Sequence, residues 1–116
     1  MQVTVHYNKL LIAPRKIRAV LGQLRHTSIP MALAQMKNSP RTTTEPIYKL
    51  LLASISAARD RDPAIRPEEL RVQEIFCNEA RRLYRTRIKS RGRAGRFAKR
   101  GSHLTLVVER TQKDQE

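Results

Sequence analysis

Val3, Val5 and Tyr7 alternate with Thr4, His6 and Asn8, a period of two that predicts a short amphipathic strand. From Pro14 the period changes. Ile17, Val20, Leu21 and Leu24 recur at helical spacing, with Pro14 suited to the first turn and His26 and Thr27 past the end, which predicts a first helix that includes Leu24. Ser28 is placed to cap a second helix that carries Ile29, Ala32, Leu33 and Met36, has Pro30 in its first turn and stops at Asn38, Ser39 and Pro40. In a third helix Ile47, Leu50, Leu51, Ser54, Ile55 and Ala58 share a face. Its start is open: Thr42 and Glu45 have capping-box spacing, whereas Pro46 in the first turn puts the cap nearer Thr44.

A polar stretch from Asp60 to Glu69, with Pro63 and Pro67, separates this helical half from a strand-rich half. Leu70 and Val72 share one strand face and Ile75 and Cys77 the other, so this strand either bulges near Glu74 or buries both faces in part. Leu104, Leu106 and Val108 alternate with Thr105, Val107 and Glu109 in a last strand. Between these two strands Gly92 and Gly95 are the turn formers, which predicts a hairpin over 80–101 turning at Arg91 to Gly95, with arms of roughly ten residues reaching some 30 Å beyond the core. The expected fold class is α+β: three helices packed on a small, mostly antiparallel three-stranded sheet, one domain over 1–110, a long protruding basic β-hairpin, and a flexible tail over 111–116.

Charge changes the picture. The 116 residues carry 24 Lys and Arg against 10 Asp and Glu, a net charge of +14, well beyond the 2 to 8 or so suited to a small soluble domain. Ten of those cations lie between Arg81 and Arg100, with no acid from Ala80 to Val108. So much like charge in one element is self-repulsive until phosphates supply the counter-charge. In an extended arm Arg81, Arg85, Arg87, Lys89, Arg91 and Arg93 share the odd-numbered face, and Tyr84, Thr86, Ile88 and Ser90 lie on the nearly uncharged face opposite. Arg15, Lys16, Arg18 and Arg25 form a second basic group on the first helix.

Other chemistry is poorly supported. Cys77 is alone, and His6, His26 and His103 are scattered, so neither a disulfide framework nor a metal or other cofactor site is expected. No run of about 18 apolar residues and no secretion-signal pattern is present, and no membrane partner is expected. Glu74, Glu79 and His103 could be imagined as a nuclease set, but nothing places two carboxylates side by side, and the chain is read as a non-enzyme. A non-specific polyanion binder is a third reading. RNA is favoured over duplex DNA, because Arg pairs bidentately with phosphate and stacks on unpaired bases, and a thin arm threads between RNA helices.

The stretches Ala13-Pro14-Arg15-Lys16, Val72-Gln73-Glu74-Ile75-Phe76, Arg91-Gly92-Arg93-Ala94 and Ser102-His103-Leu104-Thr105 give the chain its kinship. In order and spacing it resembles the large ribosomal subunit protein twenty-two family, from about Val5 to Glu109. The resemblance implies a structural protein bound to large-subunit rRNA that supports subunit assembly, in a cytoplasmic or organellar ribosome. It places a compact body outside the subunit and a hairpin reaching into the wall of the nascent-polypeptide tunnel. Implied partners are the rRNA, neighbouring large-subunit proteins and the nascent chain in transit; no homo-oligomer is expected. The residues assigned to rRNA are Lys9, Arg15, Lys16, Arg18, Arg25, Arg81, Arg82, Arg85, Arg87, Lys89, Arg91, Arg93, Arg96, Lys99, Arg100 and His103. Those assigned to the tunnel wall are Ile88, Lys89, Ser90, Arg91, Gly92 and Arg93.

Overall fold

The computed structural model describes residues 2–88 and 90–111. Strands β1 (Gln2–Leu10), β2 (Leu70–Glu79) and β5 (Ser102–Arg110) form an antiparallel sheet in the order β1-β5-β2. Helices α1 (Pro14–Leu21), α2 (Ile29–Asn38) and α3 (Thr44–Arg61) lie between β1 and β2 in the chain. Strands β3 (Leu83–Ile88) and β4 (Ala94–Lys99) make a separate two-stranded antiparallel sheet. The architecture is α+β, with three helices and antiparallel sheets, as the hydrophobic pattern predicts.

The central strand explains the core. Leu104, Leu106 and Val108 are fully buried, and these three residues of β5 meet apolar partners on both sides. On β1 these are Val3, Val5 and Tyr7. On β2 they are Val72, Ile75 and Cys77, opposite Val108, Leu106 and Leu104. The change of parity along β2 is a bulge, because the register steps from Val72 opposite Val108 to Glu74 opposite Val107 and Gln73 is the extra residue. The bulge puts Leu70 and Val72 on the same face as Ile75 and Cys77. The first of the two sequence alternatives therefore holds. Against this sheet α3 packs on β1 and α1 on β2, and α2 packs on α3. The helices contribute Ile17, Val20, Leu21, Leu24, Ile29, Ala32, Met36, Ile47, Leu50, Leu51 and Ala58 to the buried cluster.

Four local expectations are corrected or refined. Helix α1 ends at Leu21, and Gly22–Leu24 tightens into a 3-10 turn that still buries Leu24. Gly22 is a poor helix former, and the chain just beyond is drawn onto β2: His26 takes a left-handed φ of 62°, its amide donates to the Val72 carbonyl (3.0 Å), and the Val72 amide donates to Thr27 (2.8 Å). Ser28 is the N-cap residue of α2, as expected, but its hydroxyl makes no cap bond; its backbone forms an isolated bridge with Arg71. At α3 the cap position is Thr43, between the two starts left open, again without a side-chain cap; the Thr44 hydroxyl donates to the Arg41 carbonyl instead (2.7 Å), and Glu45 pairs with Lys49 rather than closing a capping box. Thr111, read as frayed, donates from its amide (2.6 Å) and hydroxyl (3.1 Å) to the Glu69 carbonyl, while residues 112–116 of the tail lie outside the described residues.

The molecule measures 69 × 26 × 18 Å. Its radius of gyration of 17.8 Å exceeds the roughly 13 Å of a compact chain of this size, because the β3–β4 ribbon stands clear of the sheet. The joint is at Ala80, whose amide donates to the Gly101 carbonyl (3.0 Å). Gly101 is buried, and a Cβ there would sit 3.0 Å from the Leu10 carbonyl oxygen and 3.4 Å from the Ala80 Cβ. Leu10 is fixed by its pairing with Ser102 and cannot yield cheaply. Gly101→Ala is therefore expected to destabilise the protein by about 1–3 kcal/mol, the usual cost of overpacking, read as a lowered urea midpoint with unchanged slope. An unchanged midpoint would show that the joint is looser than the close approach implies.

Candidate nucleic-acid interface

The ribbon has two unlike faces. Leu83 pairs with Lys99, Arg85 with Phe97 and Arg87 with Gly95; Tyr84 pairs with Ala98, Thr86 with Arg96 and Ile88 with Ala94. Directly paired residues share a face in an antiparallel ladder, so one face carries Arg85, Arg87 and Lys99 with Leu83 and Phe97. The other carries Tyr84, Thr86, Ile88, Ala94 and Ala98, with Arg96 as its cation. On the first face the Arg87 guanidinium lies 4.8 Å from the centroid of the Phe97 ring, reached past Gly95, which has no side chain to block it. Every described residue from Arg81 to Ala94 is exposed.

Period-two geometry does not extend to the tip. The register centres the turn on Arg91, not on Arg91 to Gly95, and Ser90–Gly92 is a 3-10 turn in which Arg91 (φ 62°) and Gly92 (φ 70°) are both left-handed. Gly95, read as a turn former, is a mid-strand residue opposite Arg87. Arg91 and Ser90 therefore belong to the turn, and Arg93 falls between turn and strand. Among the described residues the odd-numbered stripe in β3 comprises Arg85 and Arg87; Arg81 precedes the strand, and Lys89 lies outside the described residues. The paired arms are six residues each, about 20 Å, shorter than predicted because 80–82 and 100–101 form the joint.

The remaining cations divide by position. Lys9 is in β1 at a register shift with φ 59°, and its amide donates to His103 Nδ1 (3.1 Å). Arg18 is tied to the fold: Nε (3.1 Å) and Nη2 (2.8 Å) both donate to the Cys77 carbonyl and fasten α1 to β2. Arg15 and Lys16 are exposed, whereas Arg25 sits beside the Val72 end of β2, away from the ribbon. A cleft of about 500 Å³ brings Lys16, Lys99 and Arg100 together with Leu11, Ile12, Ala13, Thr42 and Thr43. Arg41 joins Lys16 in an adjoining hollow. Sequence reading missed Arg41, because it belongs to a loop with no periodicity and its value comes only from folding beside α1.

The opposite end of the sheet is electrically balanced. Arg110 pairs with Asp62 (3.2 Å) and Glu69 (3.4 Å), and Arg71 Nε donates to Glu109 (2.6 Å). From Arg81 to Arg100 the only ion pair among the described residues is Arg82 with Glu79, at 4.0 Å and well exposed, worth little in water. Positive charge is thus uncompensated along the ribbon and its root. Glu74 and Glu79, five residues apart on β2, point to opposite faces about 16 Å apart, so the imagined nuclease set is not assembled. Burial pushes the Cys77 thiol up, against a lowering hydrogen bond from Ser102 and the Arg18 charge, so the thiol stays protonated beside the clamp. Among the described residues no helix is long and apolar enough to cross a membrane.

The structure is thus a small α+β body bearing one cationic ribbon whose charge is little compensated among the described residues. The chain belongs to the ribosomal protein L22p/L17e family, which matches residues 5–109. It is 34% identical over 108 residues to the large ribosomal subunit protein uL22 of Mesoplasma florum, covering 93% of this chain and 96% of the relative. Identity and coverage are the same for uL22 of Mycoplasma capricolum. With uL22 of Desulfitobacterium hafniense it is 35% identical over 97 residues, 84% of each.

Proposed function

We propose that this protein is a structural constituent of the large ribosomal subunit, that it binds large-subunit rRNA through the ribbon and its root, and that it helps organise that RNA during assembly. The observation that carries the reading is the run of ten cations from Arg81 to Arg100 on the ribbon and its joint, with a single exposed ion pair among the described residues. Each cation that meets a phosphate releases a condensed counterion, so free-state repulsion becomes binding free energy. Arg15, Lys16, Arg100, Lys9 and His103 extend the surface around the root. Arg18 contributes through the donors its clamp leaves free, and Arg25 meets RNA only if the RNA wraps to the far end of β2. The relatives' name places them in the large subunit, and this chain is assigned there with them, with neighbouring large-subunit proteins as further partners and as a structural protein without enzymatic activity.

In this reading the ribbon tip, with Ile88, Ser90, Arg91, Gly92 and Arg93, stands in the tunnel wall, and Lys89 goes with it by sequence position. The Arg85/Arg87 face grips RNA. The Thr86/Ile88 face, with Ile88 82% exposed, turns to the lumen, where a passing chain of any sequence meets few cations. Single cysteines at Thr86, Ile88, Arg85 and Arg87 in a Cys77→Ser background test both levels. The chain is expected to sediment with large subunits at one copy each, and a small thiol reagent should label Thr86→Cys and Ile88→Cys several-fold faster than the other two. Absence from large subunits would reject the constituent role; equal or reversed labelling would reject the face assignment.

A further inference from the structure

At the root of the ribbon, where β1 ends and β3 and β4 leave the sheet, there is a cup of about 340 Å³, within the size range of small-ligand sites. Its floor is apolar: Leu10, Leu11, Ala80, Leu83 and the bare backbone of Gly101. Leu11 is 79% exposed and Leu83 43%, so two leucines stand open to water on a highly charged protein. Lys9, Arg81, Lys99 and His103 surround them. His103 Nδ1 accepts the Lys9 amide, which leaves its proton on Nε2, so every polar side chain at the cup is a hydrogen-bond donor. Leu11 and Lys99 also border the basic cleft that holds Lys16 and Arg100, so the cup opens onto a second cationic hollow.

Resting on the RNA-binding reading above, we propose that this cup takes one unpaired nucleotide, its base against Leu11 and Leu83 and its phosphate on Lys9, Arg81 and Lys99. A base extruded from an RNA helix offers a flat apolar face, acceptor atoms on its edge and an anion on either side, the complement of an apolar floor inside a donor-only rim. An aliphatic side chain of another protein would fill the floor but leave three cations without counter-charge. The neighbouring cleft then receives the next phosphate of the same strand on Lys16 and Arg100, which gives the RNA a path from the ribbon onto α1. The ribbon accounts for electrostatic affinity, whereas the cup fixes register by capturing a single base at the joint.

The experiment uses the full chain and transcribed, protein-free large-subunit rRNA, with base-specific chemical probing and binding measured across a salt series. The double substitution Leu11→Ser, Leu83→Ser removes no charge and changes two exposed side chains. It should weaken binding about tenfold, because the base no longer packs on two partly exposed leucines, and leave the log–log salt slope unchanged. Protection of one unpaired nucleotide should disappear while the other protections remain. Leu11→Met, Leu83→Met, which keeps the floor apolar, should restore both within about twofold. Undiminished protection in the serine variant, or protection that appears only in whole subunits and so reports a neighbouring protein, would overturn the cup. A wild-type chain that fails to bind the rRNA would instead overturn the reading on which the cup rests.

Discussion

Replacing Arg85, Arg87, Arg91, Arg93 and Arg96 by Gln is expected to abolish most of the salt dependence of rRNA binding. Neutralising about six phosphates gives a log–log slope near −4 to −5, so the natural protein should lose roughly 250- to 1,000-fold in affinity between 50 and 200 mM salt. With five cations removed the phosphates held at the cup and the neighbouring cleft remain, so the slope should fall to about −1.4 to −1.8 and the loss over the same range to roughly seven- to twelvefold. The fold should survive, because all five residues are exposed and none has a carboxylate partner among the described residues. Arg87 does surrender its stacking on the Phe97 ring, worth about 0.5–1 kcal/mol at an exposed site. Removing five like charges works in the other direction, so thermal stability of the free protein should hold or rise. A variant with an undiminished slope would show that the electrostatic surface lies on the helices, around Arg15 and Lys16, and not on the ribbon.

How much of this surface was legible in the sequence depended on whether a signal was local. The alternation of Leu104, Leu106 and Val108 and the helical spacing of Ile47 to Ala58 are properties of contiguous residues, and both elements formed as their periods require. The parity change between Val72 and Ile75 was legible as a choice between a bulge and two buried faces, and pairing with β5 decided it. The ribbon tip was misplaced for the opposite reason. Glycine marks where a left-handed residue is easy, but register decides where one is needed: pairing of Ile88 with Ala94 leaves Gly95 in a strand and imposes φ 62° on Arg91, which lacks glycine's freedom. The cap positions were legible, with Ser28 before α2 and Thr43 within the range left open at α3, but not their bonding: neither side chain caps its helix, and the Ser28 backbone bridges to Arg71, more than forty residues away. The cup at the ribbon root joins residues 9–11, 80–83 and 99–103, and no window of sequence contains it. Leu11 in isolation is simply an apolar residue between two elements.

Hydrogen exchange should divide the free protein sharply at Ala80 and Gly101. Strand β5 lies between two partners and buries Leu104, Leu106 and Val108, so its amides open only with global unfolding and should be protected by about 10⁴ or more. The ribbon has neither advantage. It is two strands with no third partner among the described residues, every residue of β3 is exposed, and its cations repel one another with little compensating charge. A two-stranded hairpin of this kind is marginal in water, so amides of Leu83–Ile88 and Ala94–Lys99 should exchange within about a hundredfold of unprotected rates. Binding to rRNA replaces repulsion with phosphate contacts on the Arg85/Arg87 face, and the same amides should then slow by a further hundredfold or more. The bond from the Ala80 amide to Gly101 belongs to the body side of this division and should stay protected in both states. Strong ribbon protection without RNA would mean that the cross-strand contacts, Arg87 on Phe97 among them, suffice to hold the ribbon. In that case the RNA would meet a preformed arm, and the steep salt dependence would reflect phosphate neutralisation with no ordering cost subtracted from it.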